Sequence, residues 1–317
     1  MGTTSSPTPA SIRNIALVGH TNAGKTTLTE ALLHRAGAIP RAGTIAEGNT
    51  VTDHEPEEIA RGISVSLGVA QFQWKSGAQT YDLTLLDTPG YADFAGSVDA
   101  ALAVADLALV VVSAASGVQA GTEEAWRLCE EAGIPRMIVV TQEDKARANF
   151  HKVLDEAHAA FGSGVVPMQL PMGEEENLHG IADILSAKAW EYAKDGKHSE
   201  TDLPDDLADE VQNLHDQVVE EIVTHDDEQL ERYLGGEEPS REELQQTLAR
   251  EVKDHEAFPM IVCSAVTAVG IDRLMDLICS LGPSPASRPA RHTLVYDLNG
   301  PLQVQCELTA YIQEETR

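Results

Sequence analysis

A mostly parallel β-sheet covered by helices on both faces, an α/β fold, is what the sequence predicts, on three observations. Short apolar runs bounded by turns recur at 15–18, 83–86, 107–112, 137–140 and 260–263, and unbroken runs of that length read as strands buried on both sides. Helical patterns begin near Lys25, Gly96, Thr122, Ala146 and Gly270, so strand and helix alternate as a parallel sheet requires. Aromatic residues make up only 4% of the 317 residues while apolar residues reach 42%, a balance that suits helices on a sheet better than an aromatic-rich sandwich.

Taken in order, residues 1–13 are polar, lack the basic and apolar blocks of a secretory signal, and are expected to be a disordered tail. Strand 15–18 then runs into Gly19-His20-Thr21-Asn22-Ala23-Gly24-Lys25-Thr26-Thr27, a match to G-x-x-x-x-G-K-[ST] between a strand and a helix. There the glycines let backbone N–H groups face phosphates, the helix N-terminus adds positive potential, Lys25 reaches the β and γ phosphates, and Thr26 offers a hydroxyl to Mg²⁺. The expected fold is therefore a P-loop NTPase.

Arg61-Gly62-Ile63-Ser64 follows in a polar segment, and Ser64 is a candidate second hydroxyl ligand for Mg²⁺ that orders its loop around a γ-phosphate. Residues 64–74, the turn Lys75-Ser76-Gly77-Ala78 and residues 81–86 read as a hairpin, which puts one antiparallel strand at the sheet edge. Asp87-Thr88-Pro89-Gly90 stands at the carboxyl end of the strand at 83–86, where ligands bind in such sheets. Asp87 is expected to hold the hydration shell of Mg²⁺, and the Gly90 N–H to meet a γ-phosphate. Ser264 and Ala265 close strand 260–263 and are candidate backbone donors to a purine carbonyl oxygen.

The alternation stops after Phe161-Gly162-Ser163-Gly164 and resumes at Phe258-Pro259. Residues 14–164 and 258–285 are accordingly expected to form the nucleotide domain, and residues 165–257 an inserted acidic α+β subdomain with helices over 207–223 and 241–252. Residues 286–317 read as a Pro-rich linker and the truncated start of a β domain, too short for a barrel. The formal net charge is −29, and between Glu174 and Glu256 there are 26 Asp and Glu against 7 Lys and Arg. Such a surface repels phosphate backbones, so direct sequence-specific nucleic-acid binding is not expected; a solvated face and a protein-docking face are the two readings of the acid. The apolar run at 100–115 is broken by Asp106 and Ser113 and is too short to span a bilayer, so no membrane partner is expected. Four cysteines without a C-x-x-C pair point to a reducing, cytoplasmic setting.

The longer strings around these motifs, GHTNAGKTTLTEALL, TVTDHEPEEIARGISVSL, DTPGYADFAGSV, LPMGEEENLHGIADIL and CSAVTAVGIDRL, resemble elongation factor G, a ribosome-dependent translational GTPase, and especially its bacterial elongation factor G-like paralogues. The resemblance covers about 14–285, including the acidic insertion. It implies GTP as substrate, Mg²⁺ as cofactor, in-line hydrolysis in a ribosome-linked step of elongation, and ribosomal stalk proteins as partners of the insertion.

Three departures qualify it. The family's guanine-reading Asn-Lys-x-Asp falls on Thr141, Gln142, Glu143 and Asp144. Asp144 keeps the contact to guanine's two donors, Thr141 is too short to replace the amide, and Gln142 lacks the cationic stem that covers the base. Losses of this kind weaken binding by roughly 10- to 100-fold. Tyr91 stands where the family places a His that positions the attacking water, and a phenol with pKa of about 10 orients water without becoming a cation at neutral pH. Lys25, Gly90 and Tyr91 are thus the catalytic candidates. Lastly, the family continues into a β-barrel and further domains, so this chain is expected to be a fragment or a shortened paralogue that does not itself translocate transfer RNA. Two rival readings remain: a nucleotide-binding module that docks on a partner without turnover, which Thr141, Gln142 and Tyr91 favour, and an ATPase or small-molecule kinase, which Asp144 and the motif order oppose.

Overall fold

The structure, a computed structural model, describes residues 8–193, 196–288, 295–297 and 300–302. The first part of the chain forms β1 (Ile12–Val18), α1 (Lys25–Arg35), α2 (Pro56–Arg61), β2 (Gly68–Ser76), β3 (Gln79–Asp87), α3 (Ala95–Val104), β4 (Leu107–Ser113), α4 (Ala120–Glu131), β5 (Arg136–Thr141), α5 (Phe150–Phe161) and β6 (Val165–Pro167). The insertion contributes β7 (Gln169–Met172), β8 (Gly180–Asp183), β9 (Lys188–Tyr192), β10 (His198–Asp202), α6 (Asp205–Thr224), α7 (Asp227–Leu234) and α8 (Arg241–Asp254). The chain then returns through β11 (Phe258–Val262) and α9 (Ile271–Leu281), and β12 (Val295–Asp297) pairs antiparallel with β13 (Gly300–Leu302).

Seven strands make one sheet in the order β2-β3-β1-β4-β5-β11-β6. Every neighbouring pair is parallel except the edge hairpin β2-β3. Every residue of β4, β5 and β11 is buried, as their unbroken apolar runs demand, whereas β2 at the edge alternates buried and exposed positions. Because the strands run the same way, the ends of β1, β3, β5 and β11 converge on one edge of the sheet, and the Gly19–Thr26 loop, Asp87, Thr141 and Ser264 arrive there together.

The boundaries differ from expectation in three places, each for a local reason. Residues 8–13 are not a tail: β1 begins at Ile12, and Arg13 is buried, donating to the Cys279 carbonyl at 2.8 Å with its guanidinium 5.0 Å from the Tyr81 ring centroid. Residues 1–7 lie outside the described residues. Helix α5 starts at Phe150 rather than near Ala146, because the Asn149 side chain caps it by accepting from the Lys152 N–H at 2.8 Å. The insertion starts later than residue 165, since the apolar Val165 and Val166 extend the main sheet beside β11. Within the insertion a four-stranded antiparallel sheet, β10-β9-β8-β7, accompanies the acidic helices. Of the expected segment 286–317, only 286–288, β12 and β13 are described.

The insertion is fastened to the main-sheet half at Asp272 of α9. Tyr192 of β9 donates to this carboxylate at 2.6 Å, Arg35 of α1 donates at 2.8 Å, and His198 of β10 stands 2.6 Å away. Burial works against its charge, yet the bonds from Tyr192 and Arg35 hold the carboxyl below its usual range. Among the described residues no helix is long and apolar enough to cross a membrane, and the thiols of Cys129, Cys263 and Cys279 are free and buried. Cys306 lies outside the described residues.

Glu251 of α8 is an uncompensated buried acid. Both carboxyl oxygens lack a hydrogen-bond partner, with His225 Nδ1 3.6 Å from one of them. Burial first, then the charges of Glu256, Glu221 and Asp226 against the opposing Arg250, push its carboxyl up to about 8. A group protonated in the fold and ionised in the unfolded chain makes folding take up a proton. Stability is therefore expected to fall as pH rises from the ordinary carboxyl range to about 8. Glu251→Gln should flatten that slope and stabilise the chain at pH 8 by roughly 1–3 kcal/mol, read by thermal melts across pH; an unchanged slope would assign it elsewhere.

Candidate functional site

The loop between β1 and α1 is shaped by backbone that only small residues tolerate. Gly19 sits at φ 136 and a Cβ there would lie 2.5 Å from the Val111 carbonyl oxygen, while Gly24, at φ 94, caps α1 without any side-chain bond to its first N–H groups. Lys25 opens the helix at 6% exposure, and its ammonium donates to the Gly19 and His20 carbonyls at 3.0 and 2.9 Å. Burial lowers its pKa to about 8 against the opposing pull of Asp87 and Asp53. The turn after β3 closes on this cation: a Cβ on Gly90 would lie 2.5 Å from Lys25 Nζ and 2.7 Å from the Thr21 N. No other residue fits between that turn and the loop.

Near the start of α1, Thr26 Oγ1 and Ser64 Oγ stand 3.3 Å apart, although 38 residues separate them. Asp87 is buried at the strand end, accepts from Thr52 Oγ1 at 2.7 Å through Oδ2, and leaves Oδ1 without a protein partner. Burial pushes its carboxyl up to about 6, opposed by the Thr52 and Thr26 hydroxyls and by Lys25. Among the described residues no group of three or more His, Cys, Asp or Glu side chains is arranged to hold a metal ion. Two hydroxyls beside one orphaned carboxylate oxygen suit a hard cation that completes its shell with phosphate and water, as Mg²⁺ does.

Several residues that build this side escape sequence reasoning. Buried Glu30 of α1 accepts from the Gly43 and Val51 N–H groups at 2.7 and 2.5 Å. Glu58 of α2 accepts from the Val65 and Ser66 N–H groups, each at 3.0 Å, and from the Ser66 hydroxyl at 2.9 Å. The two carboxylates fasten the loop that carries Ser64. Asp53, also buried, faces Ser64 with its carboxyl raised by burial. The one available signal was Glu30 itself, an acid inside an apolar helical face between Leu28, Ala31 and Leu32.

At the end of β5, Thr141 and Gln142 are tied to the loop between β1 and α1. Short as it is, the Thr141 hydroxyl donates to the Ala23 carbonyl at 2.6 Å. The Gln142 carboxamide accepts from Ser113 Oγ at 2.7 Å and donates to the Asn22 carbonyl at 3.0 Å. Asp144 accepts from Ser264 Oγ at 2.6 Å. The Ser264 N–H is already given to the Val269 carbonyl at 2.9 Å, against its expected role as a backbone donor to a purine. A cavity of about 340 Å³ is lined by Thr21, Asn22, Gly24 to Thr27, Ser64, Gly90, Tyr91, Gln142 and the unanticipated Lys145. The expected base residues Asp144, Ser264 and Ala265 are not among its lining residues, His20 is half-buried, and Tyr91 is 39% exposed.

The model of the elongation factor Tu GTP binding domain family matches residues 10–284. The chain is 34% identical over 280 residues to elongation factor G of Thermotoga maritima, covering 88% of this chain and 40% of that protein. It is 38% identical over 293 residues to an elongation factor G-like protein of Mycobacterium tuberculosis, covering 91% and 40%. A solved protein of Thermus thermophilus superposes with a TM-score of 0.82 at 40% identity, over 87% of this chain and 41% of that one. The chain thus spans about two fifths of the length of these relatives.

Thr141→Val removes the hydroxyl that donates to the Ala23 carbonyl. It is expected to cost roughly 1–3 kcal/mol in a denaturant melt and to loosen nucleotide binding. A variant as stable as the wild type would mean that the bond contributes nothing.

Proposed function

The chain belongs to the elongation factor Tu GTP-binding-domain family, and from that premise we propose that it binds GTP with Mg²⁺ and hydrolyses it in a ribosome-linked step of translation. The observation that carries this reading is the closure of Gly90 onto Lys25 and Thr21, because it puts a donor turn, a buried ammonium and the loop N–H groups around one point. A terminal phosphate seated there receives the Lys25 ammonium in place of the Gly19 and His20 carbonyls, and meets the Gly90 N–H. Thr26, Ser64 and Asp87 would hold the Mg²⁺, which when bound neutralises charge on the β and γ phosphates. Tyr91, half-exposed at the rim beside Gly90, orients the attacking water through its hydroxyl. Asp144, kept in place by Ser264, accepts from the two donors of guanine, and adenine lacks that pair.

The acidic insertion is assigned to protein partners on the ribosome, including its stalk proteins, and not to nucleic acid or membrane; the setting is the cytoplasm. A second reading, a nucleotide-dependent docking module without turnover, is favoured by Thr141, Gln142 and Tyr91.

Affinities for GTP, GDP and ATP with and without Mg²⁺ test the binding half, and ATP bound as tightly as GTP would refute it. Asp144→Asn is expected to shift preference from guanosine toward xanthosine triphosphate by at least about tenfold, because an amide donates to the carbonyl that replaces guanine's amine. Competition binding measures it, and unchanged preference would remove Asp144 from the base site.

The hydrolysis half turns on Tyr91. Fused to the later domains of a related factor, Tyr91→His is expected to raise single-turnover GTP hydrolysis with ribosomes by about 10²-fold or more. If both forms bind GTP and neither responds to ribosomes, the docking-module reading replaces the enzyme.

A further inference from the structure

We propose that Lys145 is a nucleotide-contacting residue that supplies, three positions further along the chain, the cationic cover that Gln142 lacks. The inference deepens the GTP-binding reading above and rests on it.

The Gln142 side chain is committed elsewhere. Its carboxamide is held at one end by Ser113 and at the other by the Asn22 carbonyl, and its backbone sits at φ 62, in the left-handed region. Laying this side chain over a base would break both bonds, so a second group must cover the ligand if any does. The chain then folds back: the Lys145 N–H donates to the Gln142 carbonyl and the Ala148 N–H to the Lys145 carbonyl, both at 3.1 Å. These turns bring Lys145 onto the same cavity wall as Gln142, Asn22 and Lys25.

The chemistry of the wall then favours Lys145. Lys25 and Lys145 are the two cations that line this cavity. Lys25 is buried under the phosphate position, and Lys145 is exposed. Among the described residues the Lys145 ammonium makes no ion pair or hydrogen bond, although the chain carries a net charge of −29 and acids are plentiful. A lysine in that position lays its four-carbon stem along a planar ligand while the ammonium remains hydrated and attracts the polyphosphate. Lys145 follows Asp144 directly in the chain and lines the cavity with Asn22 and Gln142, so the contact assigned to it is with the purine and ribose, and the class of ligand is any guanosine di- or triphosphate.

The test is titration of the whole chain with fluorescent GDP and GTP analogues. Lys145→Ala is expected to weaken both by about tenfold and Lys145→Glu by more, whereas Lys145→Arg stays close to wild type. Lys152→Ala, which removes an exposed cation paired with Glu156, should change neither. Wild-type affinity in Lys145→Ala overturns the proposal, and so does an equal loss in Lys152→Ala, which would reduce the effect to bulk charge. Loss confined to GTP would move the contact to the γ-phosphate and overturn the position assigned here. Failure of the wild type to bind either analogue sinks the GTP reading and this inference together; binding that ignores Lys145 sinks this one alone.

Discussion

A nearly solvent-free ammonium at the end of a parallel sheet is the constraint on which the rest of this structure depends. Burying a cation costs several kcal/mol unless acceptors replace its water, and Lys25 meets that demand with two loop carbonyls and the nearby carboxylates of Asp87 and Asp53. The carbonyls are available because Gly19 lets the loop pass against Val111. The carboxylates are available because β3 ends where it does, with Thr52 brought over it. What looks like a set of separate motifs in the chain is one electrostatic problem solved from four strand ends.

The second organising element is the use of acids as fasteners. Glu30, Glu58 and Asp272 each accept from two or three donors on other elements. A carboxylate so surrounded holds loops or subdomains with charge-assisted bonds. Glu251 shows the opposite case, a buried acid without donors, whose carboxyl rises accordingly. The acidic composition therefore divides into an outer charge that faces solvent and a few inner carboxylates with mechanical roles.

How far the sequence made this legible can be argued residue by residue. The buried strands and the edge hairpin were legible because burial on both faces leaves an unbroken apolar run, and the loop before Lys25 because few other residue types pass so close to backbone. The start of α5 was not, since Asn149 captured the helix end by a local bond that periodicity does not register. The edge of the insertion was missed because Val165 and Val166 satisfy the main sheet, a tertiary demand. At the site, Thr21, Asn22, Gly24 to Thr27, Ser64 and Gly90, which line one cavity, were singled out by motif and position in the sequence. The tie from Thr141 to Ala23, the carboxylates holding 43–66 and the return of Lys145 to the cavity join positions distant along the chain or hidden in a turn.

Helix α1 carries both ends of a mechanical connection. Its first residue is Lys25, beneath the loop after β1, and its last is Arg35, bonded to the Asp272 carboxylate that Tyr192 and His198 of the insertion also approach. Eleven residues of helix make a strut about 16 Å long, stiff in bending and in compression. A displacement of the acidic insertion at Asp272 would therefore have a short route to Lys25, through the Asp272 and Arg35 side chains and this one helix.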